Sequence, residues 1–410
     1  MLLYGNAVVG QSGGPTAAIN ATLSGVIKGA FEAKEQGIIG TLYGMRNGIE
    51  GFLKENLVDL LKVFENRDDF STLESTPAAA LGSCRRKLKS HEEDAETYAK
   101  ILEILRKYDI RYFFYIGGND SMDTVLKLSR YAASHDYELR VVGVPKTIDN
   151  DLMATDHTPG FGSAAKFVAT TVKEIIRDIN VYTMDAVTIV EIMGRDAGWL
   201  TASAALASLS GEGPDLVYLP ERVFDADSFV SDVRDRLKNH PAILVAVSEG
   251  IRFADGEYVG AGTQSGAVDV FGHKYLAGTG KVLESIIKNS IGCKVRSVEL
   301  SLTQRCASHI ASLTDINESV MVGKGAVKSA IEGKTGVMMT IDRIDGDEYA
   351  ITVGCADISS IANAIKTVPM EYINADGNGI TTAGIEYLKP LVMGELRIEY
   401  EMGLPKHFVI

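Results

Sequence analysis

The chain has 410 residues, 46% of them apolar and 23% charged, with a formal charge of −13. That length allows two or more domains with sizeable cores, and the composition is that of a soluble globular protein. The acidic excess excludes a general nucleic-acid or membrane-surface binder while leaving room for a local basic pocket.

Taken in chain order, short β-branched or aromatic runs alternate with longer helical stretches. The opening MLLYGNAVVG carries no basic leader and reads as a first strand. It runs into the glycine loop SGGP (residues 12 to 15) and a helical stretch, with Pro15 near the helix start. Residues 40 to 100 are more polar and read as an excursion from the sheet, closing with LGSCRRKLKS. RYFFYIGGNDSMDTVLKLSRYAASH repeats the strand, glycine loop and helix. LRVVGVPKTIDND is a strand ending in a polar loop, AVTIVEIMGRDAGWL a strand and turn before a small-residue helix, and AILVAVSEG another strand. Beyond about residue 335, VMMTIDRIDGDEYAITVGCADI reads as a hairpin around DGDE. Strands alternating with helices predict α/β architecture with doubly wound parallel sheets. Loops leaving the carboxyl ends of parallel strands gather on one edge, where ligands bind. SGGP, GGNDS, PKTIDND, MGRDAG and SEG are therefore expected to share one cleft.

Each loop has a plain reading and a chemical one. SGGP offers backbone N–H groups and a helix start for an anion such as phosphate, or a tight turn that needs positive φ. GGNDS adds Asn119 and Asp120, which either cap a helix or face a ligand. PKTIDND is the sharpest signal, with Lys146, Asp149 and Asp151 within six residues. Two carboxylates and a lysine suit phosphoryl transfer: a base for a hydroxyl, a metal contact, and a cation against developing charge. A solvated polar turn has the same composition. Arg195 and Glu249 follow strands, where they can meet an anionic sugar. Arg85 and Arg305 are further cations. Other searches are empty. EGKTG (residues 332 to 336) has Lys328 where a P-loop needs glycine, and GAGTQS breaks the dinucleotide pattern at Ser265. The seven histidines lack metal spacing, His157 receives no role, and Trp199 is assigned to the core. Cys84, Cys293, Cys306 and Cys355 are far apart without a CxxC pair, the pattern of free thiols in a reducing cytosol, and no apolar run is long enough to cross a bilayer.

Read in order, QSGGPTAAIN, LGSCR, YIGGNDS, PKTIDND, HTPGFGSAAK, IVEIMGR, SEG and QR resemble the phosphofructokinase family from about residue 5 to about 330. The resemblance implies two Rossmann-like α/β domains with the active site in the cleft between them. The expected donor domain is residues 1–160 plus about 304–355, and the expected sugar-phosphate domain is 161–303 plus 356–410. It implies Asp149 as the base for the 1-hydroxyl of fructose 6-phosphate, with Thr147 and Ile148 beside it. Met193, Gly194, Arg195, Glu249, Arg296, Leu302 and Arg305 are expected on the sugar phosphate. Gly13, Gly14, Gly118 and Arg85 are expected on the donor, and Asn119 and Asp151 on Mg²⁺. A cytoplasmic homodimer or homotetramer is expected on the same ground.

Two positions in the resemblance concern the donor. ATP-using members resemble GGDGS and PGTIDND, whereas pyrophosphate users carry an acidic residue in place of the third glycine and a lysine before the threonine. Asp120 and Lys146 match the pyrophosphate branch. Asp120 adds bulk and charge where a nucleotide's α-phosphate would lie, and Lys146 offers a cation to the leaving phosphate. The implied reaction is reversible Mg²⁺-dependent transfer from pyrophosphate to fructose 6-phosphate. An ATP-dependent enzyme, a non-catalytic regulatory subunit and a kinase of another sugar phosphate are the alternatives. Three positions depart from relatives: Asn119 replaces a metal-binding aspartate, Leu302 a His or Tyr, and Ala186 an arginine. Ser24 and Lys28 stand where allosteric members carry effector-binding arginines, so little control of that kind is expected.

Overall fold

The computed structural model describes residues 2–66, 69–181, 183–261, 278–361 and 364–410. Ser265 of GAGTQS lies outside them. Two sheets organise the chain. The first contains β1 (Gly5–Gln11), β2 (Ile39–Met45), β3 (Leu57–Asp59), β4 (Ile110–Gly117) and β5 (Arg140–Pro145). The second contains β6 (Ala186–Ile192), β7 (Leu216–Tyr218), β8 (Ala242–Ser248) and β9 (Lys294–Glu299). β10 (Val337–Ile344) and β11 (Ala350–Asp357) return to the first sheet, whose order is β11-β10-β5-β4-β1-β2-β3. The second sheet has the order β7-β8-β6-β9.

Adjacent residues of β1 and β4 serve opposite faces, as the period of a strand requires. Ala7 and Val9 join Phe114 and Ile116 in one apolar layer, and Val8 joins Phe113 and Tyr115 in the other. Both faces are covered, so these strands read as continuous apolar runs. In the second sheet, Val187 and Ile189 face one layer and Val190 and Ile192 the other.

The segment read as an excursion departs from that expectation. IGTLYGM forms β2 in parallel with β1, and β3 adds an antiparallel edge. Two glycines in β2 and only three residues in β3 hide a strand signal. The hairpin beyond residue 335 is present as β10 and β11, with Ile344 opposite Ala350.

Chain order reverses on either side of β1 in the first sheet and of β6 in the second. In parallel sheets such reversals open a crevice at the carboxyl ends of the strands. Two helices pack unusually closely behind the first sheet, Ile19–Glu35 and Leu313–Ile331. A Cβ on Gly25 would stand 2.2 Å from the Val320 carbonyl oxygen, and one on Gly323 2.2 Å from that of Thr22. The second helix also reaches across the chain. Buried Asp315 accepts hydrogen bonds from the N–H groups of Gly160 (2.8 Å) and Ser163 (2.9 Å), capping the helix Phe161–Ile179. Among the described residues, no helix is long and apolar enough to cross a membrane.

Candidate active site

A cavity of about 480 Å³ lies at the carboxyl ends of the strands. Its lining draws on Ser12 to Thr16 after β1, Gly118 to Ser121 after β4 and Lys146 to Asp149 after β5. Met193, Arg195 and Asp196 after β6 and Glu249 after β8 complete the second-sheet side, while Arg85, Arg305 and Ile365 come from elsewhere. All five loops singled out in the sequence meet here.

Two amides of the glycine loop are engaged within the chain. The Ser12 N–H donates to the Ile116 carbonyl (2.9 Å) and the Gly13 N–H to the Cys84 carbonyl (3.1 Å). Both amides are spent on structure, and the next helix begins only at Ile19, four residues beyond Pro15. What the glycines provide is room. Gly13 has φ +76°, and a Cβ there would stand 3.5 Å from Lys146 Nζ; one on Gly14 would stand 3.3 Å from Arg305 Nη1. Two cations thus approach the bare backbone, and the Lys146 ammonium donates to the Gly14 carbonyl. The helix Asn119–Ser134 starts at the cavity, with Gly118 as its cap. Its positive end faces the same space.

Lys146 is only 2% exposed. Burial pushes its pKa down to about 8, with Asp149 pulling the other way and Arg305 and Arg85 adding to the fall. Burial also raises the Asp149 carboxyl, against the Thr147 hydroxyl and Lys146, which favour its charged form. The Thr147 hydroxyl donates to Asp149 Oδ2 (3.3 Å), while the Asp149 N–H donates to Thr147 Oγ1 (3.1 Å). This Asx/Thr interlock fixes the carboxylate at the loop's turn. Burial and then Asp149 push Asp151 up to about 7. Glu249 rises to about 8, again chiefly through burial, while accepting the Gly194 N–H at 3.3 Å.

The loop holding these carboxylates is itself clamped. Asn150 is fully buried at φ 54°, a left-handed conformation that asparagine tolerates better than most residues. Its Oδ1 accepts the Thr158 N–H (3.1 Å) and the Lys366 ammonium (3.2 Å). Lys366 also donates from Nζ to the carbonyls of Thr155 (3.1 Å) and Asp156 (2.6 Å). Its own N–H donates to the Asp151 carbonyl (2.8 Å), and its carbonyl accepts Trp199 Nε1–H (2.9 Å). One residue of the carboxyl-terminal segment thereby ties the aspartate loop to the turn after β6.

Most residues expected at the site line this cavity. Gly194 adjoins it through Glu249. Arg296 and Leu302 do not. Arg296 is on β9, the edge strand of the second sheet, whose alternation turns it outward to solvent. Leu302 is 56% exposed in the turn before the short helix Thr303–Cys306. Gln304 takes the inward place, accepting the Met193 N–H at 3.3 Å. Ser24 Oγ and Lys28 Nζ both contact Glu74 Oε1, at 2.5 Å and 2.6 Å, so that position is filled by the chain itself. Trp199 is buried, and His157 is held between Asp156 and Glu318 at 2.7 Å each, a structural arrangement.

Three contributors went unread in the sequence. Lys87 reaches Asp120 Oδ1 at 3.0 Å, Ile365 closes one wall, and Lys366 clamps the loop. A cation three residues after LGSC has no local signature, and Lys366 depends on contacts more than 150 residues apart.

The phosphofructokinase family model matches residues 6–330. The chain is 43% identical over 408 residues to a pyrophosphate–fructose 6-phosphate 1-phosphotransferase of Methylococcus capsulatus, covering 99% of this chain and 96% of the relative. A protein of the same name from Xanthomonas campestris is 43% identical over 410 residues, covering 98% and 95%. A pyrophosphate-dependent phosphofructokinase structure from Nitrosospira multiformis superposes with a TM-score of 0.87 at 39% identity, covering 98% of this chain and 95% of that one. The chain belongs to the phosphofructokinase family.

Proposed function

We propose that the protein transfers a phosphoryl group reversibly from pyrophosphate to the 1-hydroxyl of fructose 6-phosphate, giving fructose 1,6-bisphosphate and phosphate. The observation that carries this reading is the presence of both Asp120 and Lys146 in the lining of the cavity that also holds Asp149. Asp149 takes the hydroxyl proton as the sugar oxygen attacks phosphorus, and burial, which raises its pKa, strengthens it as a base. Lys146, Arg85 and Arg305 surround the phosphate positions with positive charge, which stabilises charge developing on the transferring and leaving groups. Met193, Arg195 and Glu249 face the sugar from the second sheet.

Mg²⁺ belongs to this reading. Burial and the neighbouring Asp149 make Asp151 harder to ionise, a cost that a divalent cation would relieve. The Asn119 amide nitrogen donates to the Ala364 carbonyl (2.8 Å), so its oxygen is the atom it could offer a cation. The described residues contain no group of three or more His, Cys, Asp or Glu arranged to hold a metal. Asp151 and Asn119 would thus hold the ion together with phosphate oxygens, as suits a hard cation that keeps few protein ligands. When bound, Mg²⁺ would neutralise phosphate charge. The four cysteines are free, in keeping with a reducing cytoplasm, and a homo-oligomer completes the proposal.

The test is an initial-rate assay with fructose 6-phosphate and Mg²⁺, offering pyrophosphate or ATP, with Asp149→Asn as control. Turnover with pyrophosphate that Asp149→Asn abolishes supports the reading. Turnover with ATP alone, or none with either, refutes it.

A further inference from the structure

A carboxylate at the donor end raises a difficulty, because Asp120 would repel pyrophosphate as well as a nucleotide. The structure contains the answer in Lys87. Its ammonium pairs with Asp120 Oδ1 at 3.0 Å, and both residues line the cavity. The loop bearing it is anchored at the two residues that follow. Lys127 Nζ donates to the Leu88 carbonyl at 2.8 Å, while itself paired with Asp123, and the Tyr98 hydroxyl donates to the Lys89 carbonyl at 2.7 Å. Asp120 and Lys127 are seven residues apart on one helix, hence on the same face. That face receives the loop. Arg86 bonds Thr97 (3.1 Å) and pairs with Asp94 (3.7 Å), so it does not compete with Lys87 for Asp120.

We infer that Lys87 is a donor-recognition residue, held by Asp120 so that its ammonium bridges the Asp120 carboxylate and the non-transferred phosphate of pyrophosphate. The inference rests on the donor proposed above. An ammonium has three donors, so one can serve the carboxylate and another the phosphate. The pair as a whole is neutral toward pyrophosphate. A nucleotide extending past the same phosphate would have to displace it, leaving two charges unpartnered. Donor choice then involves the Asp120–Lys87 unit beside Lys146, with Asp120 acting through Lys87 as well as by its own bulk.

The experiment measures steady-state constants for Lys87→Met, Lys87→Arg and Asp120→Asn, and for Lys87→Met combined with Asp120→Asn. Lys87→Met is expected to raise KM for pyrophosphate about ten-fold or more, the loss of one charge-assisted hydrogen bond, with KM for fructose 6-phosphate within about two-fold. Lys87→Arg retains most of the affinity. The double variant falls well short of the product of the single effects, because the residues act as a unit. A Lys87→Met protein with unchanged KM for pyrophosphate overturns the inference, as does one in which both KM values rise together, the sign of a loop that merely lost support. Thermal unfolding of each variant identifies misfolded protein; if Lys87→Met fails it, Asp120→Asn decides, since an unchanged KM for pyrophosphate there also overturns the inference. Wild-type protein lacking pyrophosphate turnover in the same assay overturns the underlying donor reading, and Lys87's role with it.

Discussion

Replacing Lys366 by methionine tests how the aspartate loop is held. The ammonium donates to Asn150 Oδ1, the Thr155 carbonyl and the Asp156 carbonyl. Hydrogen bonds from a charged donor contribute about 1.5–3 kcal/mol each. Three would suggest a large loss, but two acceptors have second partners. Asn150 Oδ1 keeps the Thr158 N–H, and the Asp156 carbonyl keeps the Tyr387 hydroxyl. Among the described residues only the Thr155 carbonyl is orphaned, at a cost of about 1–3 kcal/mol. Burial already works against the lysine, pushing its pKa down to about 8, and methionine removes that opposition. Methionine also keeps contact with the Trp199 ring, from which Nζ is 5.3 Å away. The expected net loss is about 2 kcal/mol. Trp199 is the single tryptophan and bonds the Lys366 carbonyl, so its emission during urea unfolding reports this junction directly. A lower midpoint is expected, together with a kcat at least ten-fold lower, since a base displaced by about 1 Å loses up to about 10²-fold in rate. A midpoint and kcat both equal to wild type would refute the clamp.

Other consequences follow from the same geometry. Asp149→Asn should lower kcat about 10²–10⁴-fold with little change in thermal stability; a smaller drop in a rate assay would remove Asp149 from the base role. Lys146 acts protonated and has its pKa pushed down to about 8, so kcat/KM for pyrophosphate should fall as pH rises through about 8. Lys146→Arg should abolish that alkaline limb, and a wild-type profile flat to pH 9 would contradict the assignment. Asp120→Gly with Lys146→Gly should admit ATP while losing most pyrophosphate activity, and a double variant still preferring pyrophosphate in paired assays would contradict the account of donor choice. Gly25→Ala should cost about 1–3 kcal/mol or more in urea unfolding, because its methyl meets the Val320 carbonyl oxygen at 2.2 Å; unchanged stability would mean that the two helices separate freely.

The carboxyl ends of β1, β4, β5, β6 and β8 were legible in the sequence because each is an apolar run stopped abruptly by glycine or a polar turn. Periodicity and topology rules then place those loops together. β2 and β3 escaped because glycines interrupt one and the other has three residues. Arg296 was assigned by the family resemblance, but strand alternation points it away from the chain's own cavity. Local pattern also could not show that the Gly13 N–H is engaged by the Cys84 carbonyl, 71 positions on. Lys87 and Lys366 acquire meaning only through distant partners, Asp120 for one and Asn150 to Asp156 for the other.

The most direct test of the central claim offers both donors at once. Purified protein is mixed with fructose 6-phosphate, Mg²⁺, pyrophosphate and ATP, and phosphorus NMR follows which donor is consumed. The account predicts loss of the pyrophosphate resonance, growth of phosphate and fructose 1,6-bisphosphate, and intact ATP. Conversion of ATP to ADP with pyrophosphate untouched would contradict it.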